Sequence, residues 1–417
     1  MNQQPSIMIF SVVIGLVTML VDVYVLHAWM RHVRSRALSP WWHRVPWIIA
    51  TIIGLVYWYV VYRRHFFRLD GLDVALFGIT AFWFLPKMAI LPVLVVRDAL
   101  RGIRRLIARR TPVVAAIDEA PQVDTPSTSR RAFLGTTTWS LAAIPYVMVG
   151  RGMWSTIYDF ETTNVPVFIP RLPKAFDGFR IVQLSDVHAG SFPDHRPFEE
   201  VRRIVDMLKP DMVVVTGDWV NMQPQELAVI AREVPKLRAE FGVRAVLGNH
   251  DHYHSPEEHQ RLITSIRGLD VDLLINEHRR IALGNDAFIL AGTDNTGFKQ
   301  NFARLDTALE GVVGDEATIL LAHDPTFWDM QVVGKKPIDL MLSGHTHGGQ
   351  LGVQLMGFEW SPAQHIYKQW SGLYQTGEQK LYVNRGIGTV GPPIRIGIRP
   401  EITHFTLHSA GAFDHLA

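Results

Sequence analysis

The chain has 417 residues, more than a single hydrophobic core usually organises, so at least two structural parts are expected. It contains no cysteine, which excludes disulfides, thiolate nucleophiles and Cys-ligated zinc and leaves His, Asp, Glu and Asn as the side chains able to hold a metal. The net charge of +2 hides a split: residues 1–131 hold 16 Lys and Arg against 7 Asp and Glu, whereas residues 132–417 hold 25 against 32. An acidic globular half lacks the clustered cations that a nucleic-acid backbone demands, so nucleic acid is not an expected partner.

In chain order, the first elements read as a membrane module. Three stretches, about Ile7–Trp29, Pro46–Tyr62 and Val74–Val96, are long and apolar enough to span a hydrocarbon core of ~30 Å, and a weaker fourth lies at about Phe133–Gly150. Cytoplasmic loops retain positive charge. The segment after the third stretch carries Arg97, Arg101, Arg104, Arg105, Arg109, Arg110, Arg130 and Arg131, while the loop after the second has only Arg63, Arg64 and Arg68. This bias puts the basic segment, and the loop with Arg31, Arg34, Arg36 and Arg44, in the cytoplasm, and the carboxy-terminal half outside it at the inner or plasma membrane. Asp22 and Lys87 fall inside predicted spans and, with no matching set of partners in view, read as packing or snorkelling residues.

Residues 111–129, rich in Pro, Thr, Asp and Ser, are expected to form a flexible linker. The run Ser129-Arg130-Arg131-Ala132-Phe133-Leu134 resembles a twin-arginine export signal, which would carry an already folded domain. The expected organisation is a transmembrane module over 1–110, the linker over 111–129, a twin-arginine-like fourth membrane segment over 130–155 and a catalytic domain over 165–410.

Past Pro170 one plan repeats: a short aliphatic or β-branched run, then a tight polar turn holding Asp, His or Asn. Strands are predicted at Arg180–Asp186, Asp211–Asp218, Arg244–Asn249, Thr318–His323 and Ile338–His345, with helix-length segments at about Pro197–Leu208, Glu226–Ala239 and Glu257–Ile266 between them. The alternation predicts an α/β domain. Near-continuous apolar strands imply a sheet covered on both faces, with the polar strand ends gathered on one edge. Asp186, His188, Asp218, Asn249, His250, His323, His345 and His347 belong to that edge.

These residue types suit a pair of cations. Two divalent ions about 3.5–4 Å apart need a bridging carboxylate, which an Asp can supply and a His cannot. A mixture of imidazole, carboxylate and carboxamide oxygen fits manganese, iron or zinc better than calcium. Such a pair yields a metal-activated hydroxide and neutralises phosphate oxygens, so no covalent intermediate is required. No G-x-x-x-x-G-K-[ST] run occurs, which argues against a nucleotide-driven motor or kinase.

The ordered set SDVH at Ser185–His188, GDWVN at Gly217–Asn221, GNHD at Gly248–Asp251, His323 and GHTHGGQ at Gly344–Gln350 closely resembles the calcineurin-like metallophosphoesterase superfamily. With NRGIGT at Asn384–Thr389, it is similar to the membrane-linked bacterial branch of the type called transmembrane protein with metallophosphoesterase domain. The resemblance covers roughly residues 180–390 and implies a two-sheet β sandwich flanked by helices. By motif it implies a first cation on Asp186, His188, Asp218 and His347, and a second on Asp218, Asn249, His323 and His345, bridged by Asp218. It casts His250 as general acid or donor to the phosphoryl oxygens, with Asp251 nearby to orient it.

His195, His252, His254, His259 and His278 match no motif position and are expected at the surface or in packing, although His252 and His254 follow the GNHD loop closely enough to be weighed for substrate contact. Arg385 and Arg395 read equally as phosphate clamps or as fold-stabilising cations. Leu351–Lys380, with Phe358, Trp360, Tyr367, Trp370 and Tyr374, reads equally as a substrate wall or lipid-meeting segment and as the ordinary packing of a long insert. The expected function is a membrane-anchored, dinuclear metal-dependent phosphoesterase hydrolysing a phosphate ester or diester of envelope or lipid-linked material. The alternative is a UDP-2,3-diacylglucosamine pyrophosphatase-like hydrolase of lipid A biosynthesis on the cytoplasmic face.

Overall fold

A helix that is apolar all round, rather than along one stripe, needs apolar surroundings on every side. Three helices near the amino terminus have that character: α1 (Gln4–Arg34), α2 (Trp41–Phe66) and α3 (Gly71–Arg110). Each contains a stretch long and apolar enough to cross a membrane, at Met8–Arg34, Trp41–Arg63 and Leu72–Ile107. Phe10, Leu20, Leu55 and Val93 stand exposed on them, as lipid-facing side chains do, while Val21, Val25, Ala28, Ile90 and Leu94 pack α1 against α3. At 40 residues α3 is about 60 Å long, so the basic segment after the third span begins as a continuation of the helix. The computed structural model describes residues 4–34, 39–66, 71–110, 139–297, 300–312, 315–355 and 358–409. The expected linker and the twin-arginine-like run lie outside these residues. Of the weaker fourth segment, the helix α4 (Ile144–Trp154) has 11 residues, about 16 Å and half a hydrocarbon core.

Asp22 and Lys87 are not isolated. The Lys87 ammonium pairs with the Asp22 carboxylate, which also accepts the Trp83 indole N–H at 2.8 Å, and Lys87 lies 3.3 Å from the centre of the Trp83 ring. Both ionisable groups are buried, so the reading of packing or snorkelling residues without partners is corrected: α1 and α3 share a buried ion pair.

The chain divides into two compact units, Pro5–Arg151 and Gly152–Ala417. In the second, β-branched and aliphatic runs make two six-stranded sheets. The first contains β1 (Glu161–Phe168), β2 (Arg180–Leu184), β3 (Met212–Thr216), β4 (Val243–Val246), β5 (Val271–Leu273) and β16 (Glu401–His408), in the order β1-β16-β2-β3-β4-β5. The other is β14-β15-β11-β10-β7-β6, from β6 (Glu277–Leu283), β7 (Asp286–Gly292), β10 (Thr318–Leu321), β11 (Leu340–Ser343), β14 (Gly372–Thr376) and β15 (Gln379–Val383). Among the described residues two small ribbons complete the set: β8 (Thr296–Gly297) with β9 (Gln300–Asn301), and β12 (Val353–Leu355) with β13 (Phe358–Trp360).

The sheets face one another over a core in which Ile181, Met212, Val214 and Phe405 of the first meet Phe288, Leu290, Ile319 and Leu340 of the second. On the outer face of the first sheet lie α5 (Arg196–Leu208) and α6 (Pro256–Arg267), through Phe198, Val201, Leu262 and Ile266. The predicted sandwich flanked by helices is observed. Strands β2, β3 and β4 run parallel, as do β7, β10, β11 and β15, so their carboxyl ends gather on one edge.

One predicted element differs. Residues 226–239 are not an α-helix but two short 3-10 turns, Pro224–Val229 and Val234–Lys236. Pro235 has no N–H to bond back, and its ring opposes the helical path of the preceding residues. The Glu226 carboxylate instead caps the loop before it, accepting the N–H of Asn221 at 2.5 Å and of Met222 at 3.2 Å.

Candidate metal centre

Each parallel strand ends in a turn whose backbone must reverse quickly while its side chain stays aimed at the common edge. Asp186, His188, Asp218, His345 and His347 do this in the left-handed region, with φ between 42° and 71°, a conformation that disfavours L side chains and concentrates at functional sites. Glycines make the crowding possible. A Cβ on Gly248 would stand 2.2 Å from Asp218 Oδ1, and one on Gly344 would stand 2.2 Å from Asp186 Oδ2, so only glycine fits beside these carboxylates.

The result is two overlapping clusters of donor atoms. Asp186, His188, Asp218 and His347 present ligand atoms that all lie within 4.8 Å of one another, and Asp218, His323 and His345 form a second group by the same measure. In the first, His188 Nε2 is 3.1 Å from His347 Nε2 and 3.4 Å from Asp218 Oδ2, and His347 Nε2 is 3.2 Å from Asp186 Oδ1. In the second, His323 Nε2 is 3.1 Å from Asp218 Oδ2, 3.3 Å from Asn249 Oδ1 and 3.3 Å from His345 Nδ1. Imidazole nitrogens and carboxylate oxygens buried this close together need positive charge among them, supplied by a proton or by a metal cation. A cation in each cluster satisfies that requirement, and the mixed nitrogen and oxygen donors suit a first-row divalent ion.

The groups behind the donors fix their direction. His323 Nδ1 donates to the Thr216 carbonyl at 2.7 Å, which leaves Nε2 turned to Asp218. Asn249 Nδ2 donates to the Tyr253 hydroxyl at 2.5 Å, which turns Oδ1 toward His323. His345 Nε2 meets the Tyr367 hydroxyl at 3.0 Å, and both oxygens of Asp186 accept the His345 backbone N–H, at 2.9 and 3.0 Å. Beneath the D-x-H turn, Ile387 and Gly388 donate their N–H groups to the carbonyls of Ser185 and Asp186 at 3.0 and 2.9 Å.

A family model described as "Calcineurin-like phosphoesterase" matches residues 179–349, and another, "Probable Calcineurin-like phosphoesterase, transmembrane domain", matches residues 5–157. The "Uncharacterized metallophosphoesterase YkuE" of Bacillus subtilis is 32% identical over 294 residues, which covers 67% of this chain and 98% of that protein. The chain belongs to the calcineurin-like metallophosphoesterase family. The bovine "Transmembrane protein with metallophosphoesterase domain" is 33% identical over 62% of this chain and 60% of its own length, so the chain spans somewhat less than two thirds of that relative. The "Phosphodiesterase YaeI" of Escherichia coli is 30% identical over 55% of this chain and 82% of its own length. As a member of this family the metallophosphoesterase is a phosphoric ester hydrolase, and its apolar helices and transmembrane-domain match make it membrane-associated.

The electrostatics of the metallophosphoesterase site follow from burial and mutual charge. Burial raises Asp186, and it lowers His345 and, helped by the charges of His188 and Arg395, holds His347 well below the usual imidazole range. Burial opposes charge on Asp218 and His323 too, but their attraction wins: Asp218 stays well below the ordinary carboxylate range and His323 is pushed up to about 10. A cation on Asp218 would compete with that proton on His323.

His250 stands beside this centre, half-buried, its ring 4.7 Å from that of His188 between centroids. Its backbone N–H donates to Asp218 Oδ1 at 2.8 Å, and its Nδ1 bonds the Asn221 carbonyl at 2.6 Å. Asp251, expected to orient that ring, is buried below it and accepts the backbone N–H groups of Trp219, Val220 and Gly248 at 3.0, 3.3 and 2.9 Å. The orientation thus comes from Asn221, whose carbonyl no side-chain pattern advertises, and Asp251 ties the GDWVN turn to the GNHD turn.

Of the remaining histidines, His252, His259 and His278 take other partners. His252 Nε2 lies 2.7 Å from Asp294 Oδ1 with its ring stacked between His259 and Phe302, and His278 Nδ1 donates to the Ala308 carbonyl at 2.8 Å. His259 Nδ1 donates to the Asp251 carbonyl at 2.7 Å, and His195 precedes α5. Arg385 and Arg395 are buried: Arg385 Nε donates to Glu401 at 2.6 Å, and Arg395 Nη2 donates to the carbonyls of Arg385, Gly386 and Gly388 at 2.9, 3.0 and 2.7 Å. Of the two readings open for them, holding the 384–389 loop is the one these contacts support. Tyr253 and Tyr367 are the partners that motif reading did not attach to the ligands, although Tyr253 follows Asn249 by one tight turn.

Proposed function

We propose that this metallophosphoesterase is a membrane-anchored, dinuclear hydrolase of a phosphate ester or diester in envelope or lipid-linked material. The observation that carries the reading is Asp218, whose carboxylate belongs to both donor clusters and so can serve two cations at once. On this reading Asp186, His188, Asp218 and His347 hold one cation and Asp218, Asn249, His323 and His345 the other. Manganese, iron and zinc fit the donor set. Such a pair, when bound, supplies Lewis-acid charge for the phosphate oxygens and for an attacking water.

The chain's own residues do the rest. His250, held at Nδ1 by Asn221, is aimed beside the shared carboxylate, where it donates a hydrogen bond to a phosphoryl oxygen or a proton to the leaving group. Asp251 keeps the two turns in register. The charge bias of the amino-terminal segments favours a multi-pass anchor with the catalytic unit outside the cytoplasm.

The test is a substrate panel at defined manganese, iron or zinc, spanning a phosphomonoester, a simple diester, a lipid-linked diester and UDP-2,3-diacylglucosamine. Asp218→Asn should bind fewer than two metals per chain and lose at least ~100-fold in kcat/KM, since several kcal/mol of charge stabilisation is removed. Full activity and full metal content in that variant would refute the shared-carboxylate reading.

A further inference from the structure

A two-stranded ribbon is marginally stable in water unless something covers its apolar face. The ribbon β12–β13 joins neither six-stranded sheet. Val353 lies directly across from Trp360, and Phe358, two residues along, shares the face of Trp360 by strand alternation. All three are exposed, Phe358 at 60%, and Ile366, just beyond the ribbon, is 75% exposed. Of the ten large apolar side chains exposed among the described residues of Gly152–Ala417, these four fall within 14 consecutive positions, while the others are scattered along the chain. Scattered exposure is ordinary, but a contiguous apolar face marks an interaction surface.

The same segment is tied to the metal centre. Tyr367 reaches His345 Nε2 at 3.0 Å, Thr346 Oγ1 donates to the Trp370 carbonyl at 2.7 Å, and a Cβ on Gly349 would stand 2.3 Å from Ser361 Oγ. The insert therefore touches the GHTHGGQ loop through Ser361, Tyr367 and Trp370, while Val353, Phe358, Trp360 and Ile366 stay exposed.

We propose that β12–β13 and Ile366 form a lip that rests in the surface of a lipid bilayer. The chain itself argues for that occupant. Three of its helices are long and apolar enough to cross a membrane, so a bilayer is always within the catalytic unit's tethered reach and contact with it is effectively intramolecular. A Trp beside aliphatic and phenyl groups is the composition that settles at the headgroup level, where one end of the indole meets water and the other meets acyl chain. Seated there, the lip would bring the His345 side of the metal centre to the membrane surface.

The cysteine-free sequence makes the test direct, because one introduced cysteine is one labelling site. Phe358→Cys, Ile366→Cys and, as a control on another exposed apolar position, Met330→Cys each carry an environment-sensitive NBD fluorophore on the full chain. The chains are reconstituted in vesicles of phosphatidylcholine and phosphatidylglycerol, with or without nitroxide-labelled phosphatidylcholine, and metal content equal to that of the unsubstituted chain establishes folding. The expected result is blue-shifted emission at positions 358 and 366, quenched by the nitroxide lipid several-fold more than at 330. Water-like emission and equal quenching at all three positions would overturn the proposal. Energy transfer between donor- and acceptor-labelled copies that survives dilution with lipid would also overturn it, by giving the face to a second copy. Ile366 keeps the test valid if position 358 proves essential for folding, since a side chain so exposed has little packing to lose.

Discussion

At the scale of single residues, the donor types and their spacing were legible and their surroundings were not. D-x-H, G-D, G-N-H-D and G-H-T-H name the atoms that converge, because each motif sits where a parallel strand must end in a polar turn. The sequence could not disclose that five of those residues hold left-handed backbone, nor that a main-chain carbonyl at Asn221 rather than the Asp251 carboxylate holds the His250 ring. Such facts depend on chain segments that meet only after folding. His254 illustrates a residue whose environment, not its motif, sets its behaviour. Burial pulls its imidazole down from 6.5 to about 4, and its Nε2 is enclosed with no hydrogen-bond partner among the described residues. Between those pH values the unfolded chain binds a proton that the folded chain refuses. The folded state therefore carries no penalty from this ring above about pH 6.5 and a growing one as pH falls toward 4, amounting to no more than ~2 kcal/mol after solvent screening of this partly exposed ring. The apparent Tm of His254→Gln should fall less steeply than that of the unsubstituted chain between pH 7 and 4.5, and identical slopes would remove His254 as the cause.

At the scale of elements, the strands were read correctly because period and composition agree, whereas residues 226–239 were misread because a helix-length apolar pattern outweighed the proline at 235. The turns between strand and ligand carry their own constraint. Gly248 abuts Asp218, so Gly248→Ala must push either the carboxylate or the GNHD turn aside. That overpacking is expected to cost about 1–3 kcal/mol and to reduce bound metal, which thermal unfolding and metal analysis of one preparation would show. Normal metal content with unchanged Tm would mean that the turn has room after all. In the membrane module the relevant pair joins two helices far apart in sequence, so no local pattern reveals it. Removing one partner, as in Asp22→Asn or Lys87→Met, leaves a buried charge uncompensated and should destabilise the helices by ~3–5 kcal/mol, while the double replacement should cost much less than the two singles together. Additive losses in a double-mutant cycle of detergent unfolding would show that the two side chains act independently.

At the scale of the whole molecule, the division into two parts was visible in charge and hydropathy before any contact was known. Residues 1–131 carry an excess of nine positive charges and the remainder an excess of seven negative ones, and the structure divides into compact units 20 residues further on, between Arg151 and Gly152. The side of the membrane on which the catalytic unit works is a separate matter, and it rests on where arginines fall. In α3 the apolar stretch gives way to Arg97, Arg101, Arg104 and Arg105 on one continuous helix, so a span formed by that stretch would hold this cluster close to the membrane, within the distance over which positive charge directs topology. If it is retained in the cytoplasm, a segment that re-enters the membrane beyond it delivers the catalytic unit to the opposite side. A cysteine placed at Lys335, on the exposed turn before β11, reports this directly because the chain has no other thiol. A membrane-impermeant maleimide should label it in right-side-out vesicles without lysis and should fail to do so in inverted ones. The reverse pattern would place the metal centre on the cytoplasmic face, keep the hydrolytic reading intact, and move the search for its substrate to phosphate esters made or consumed inside the cell.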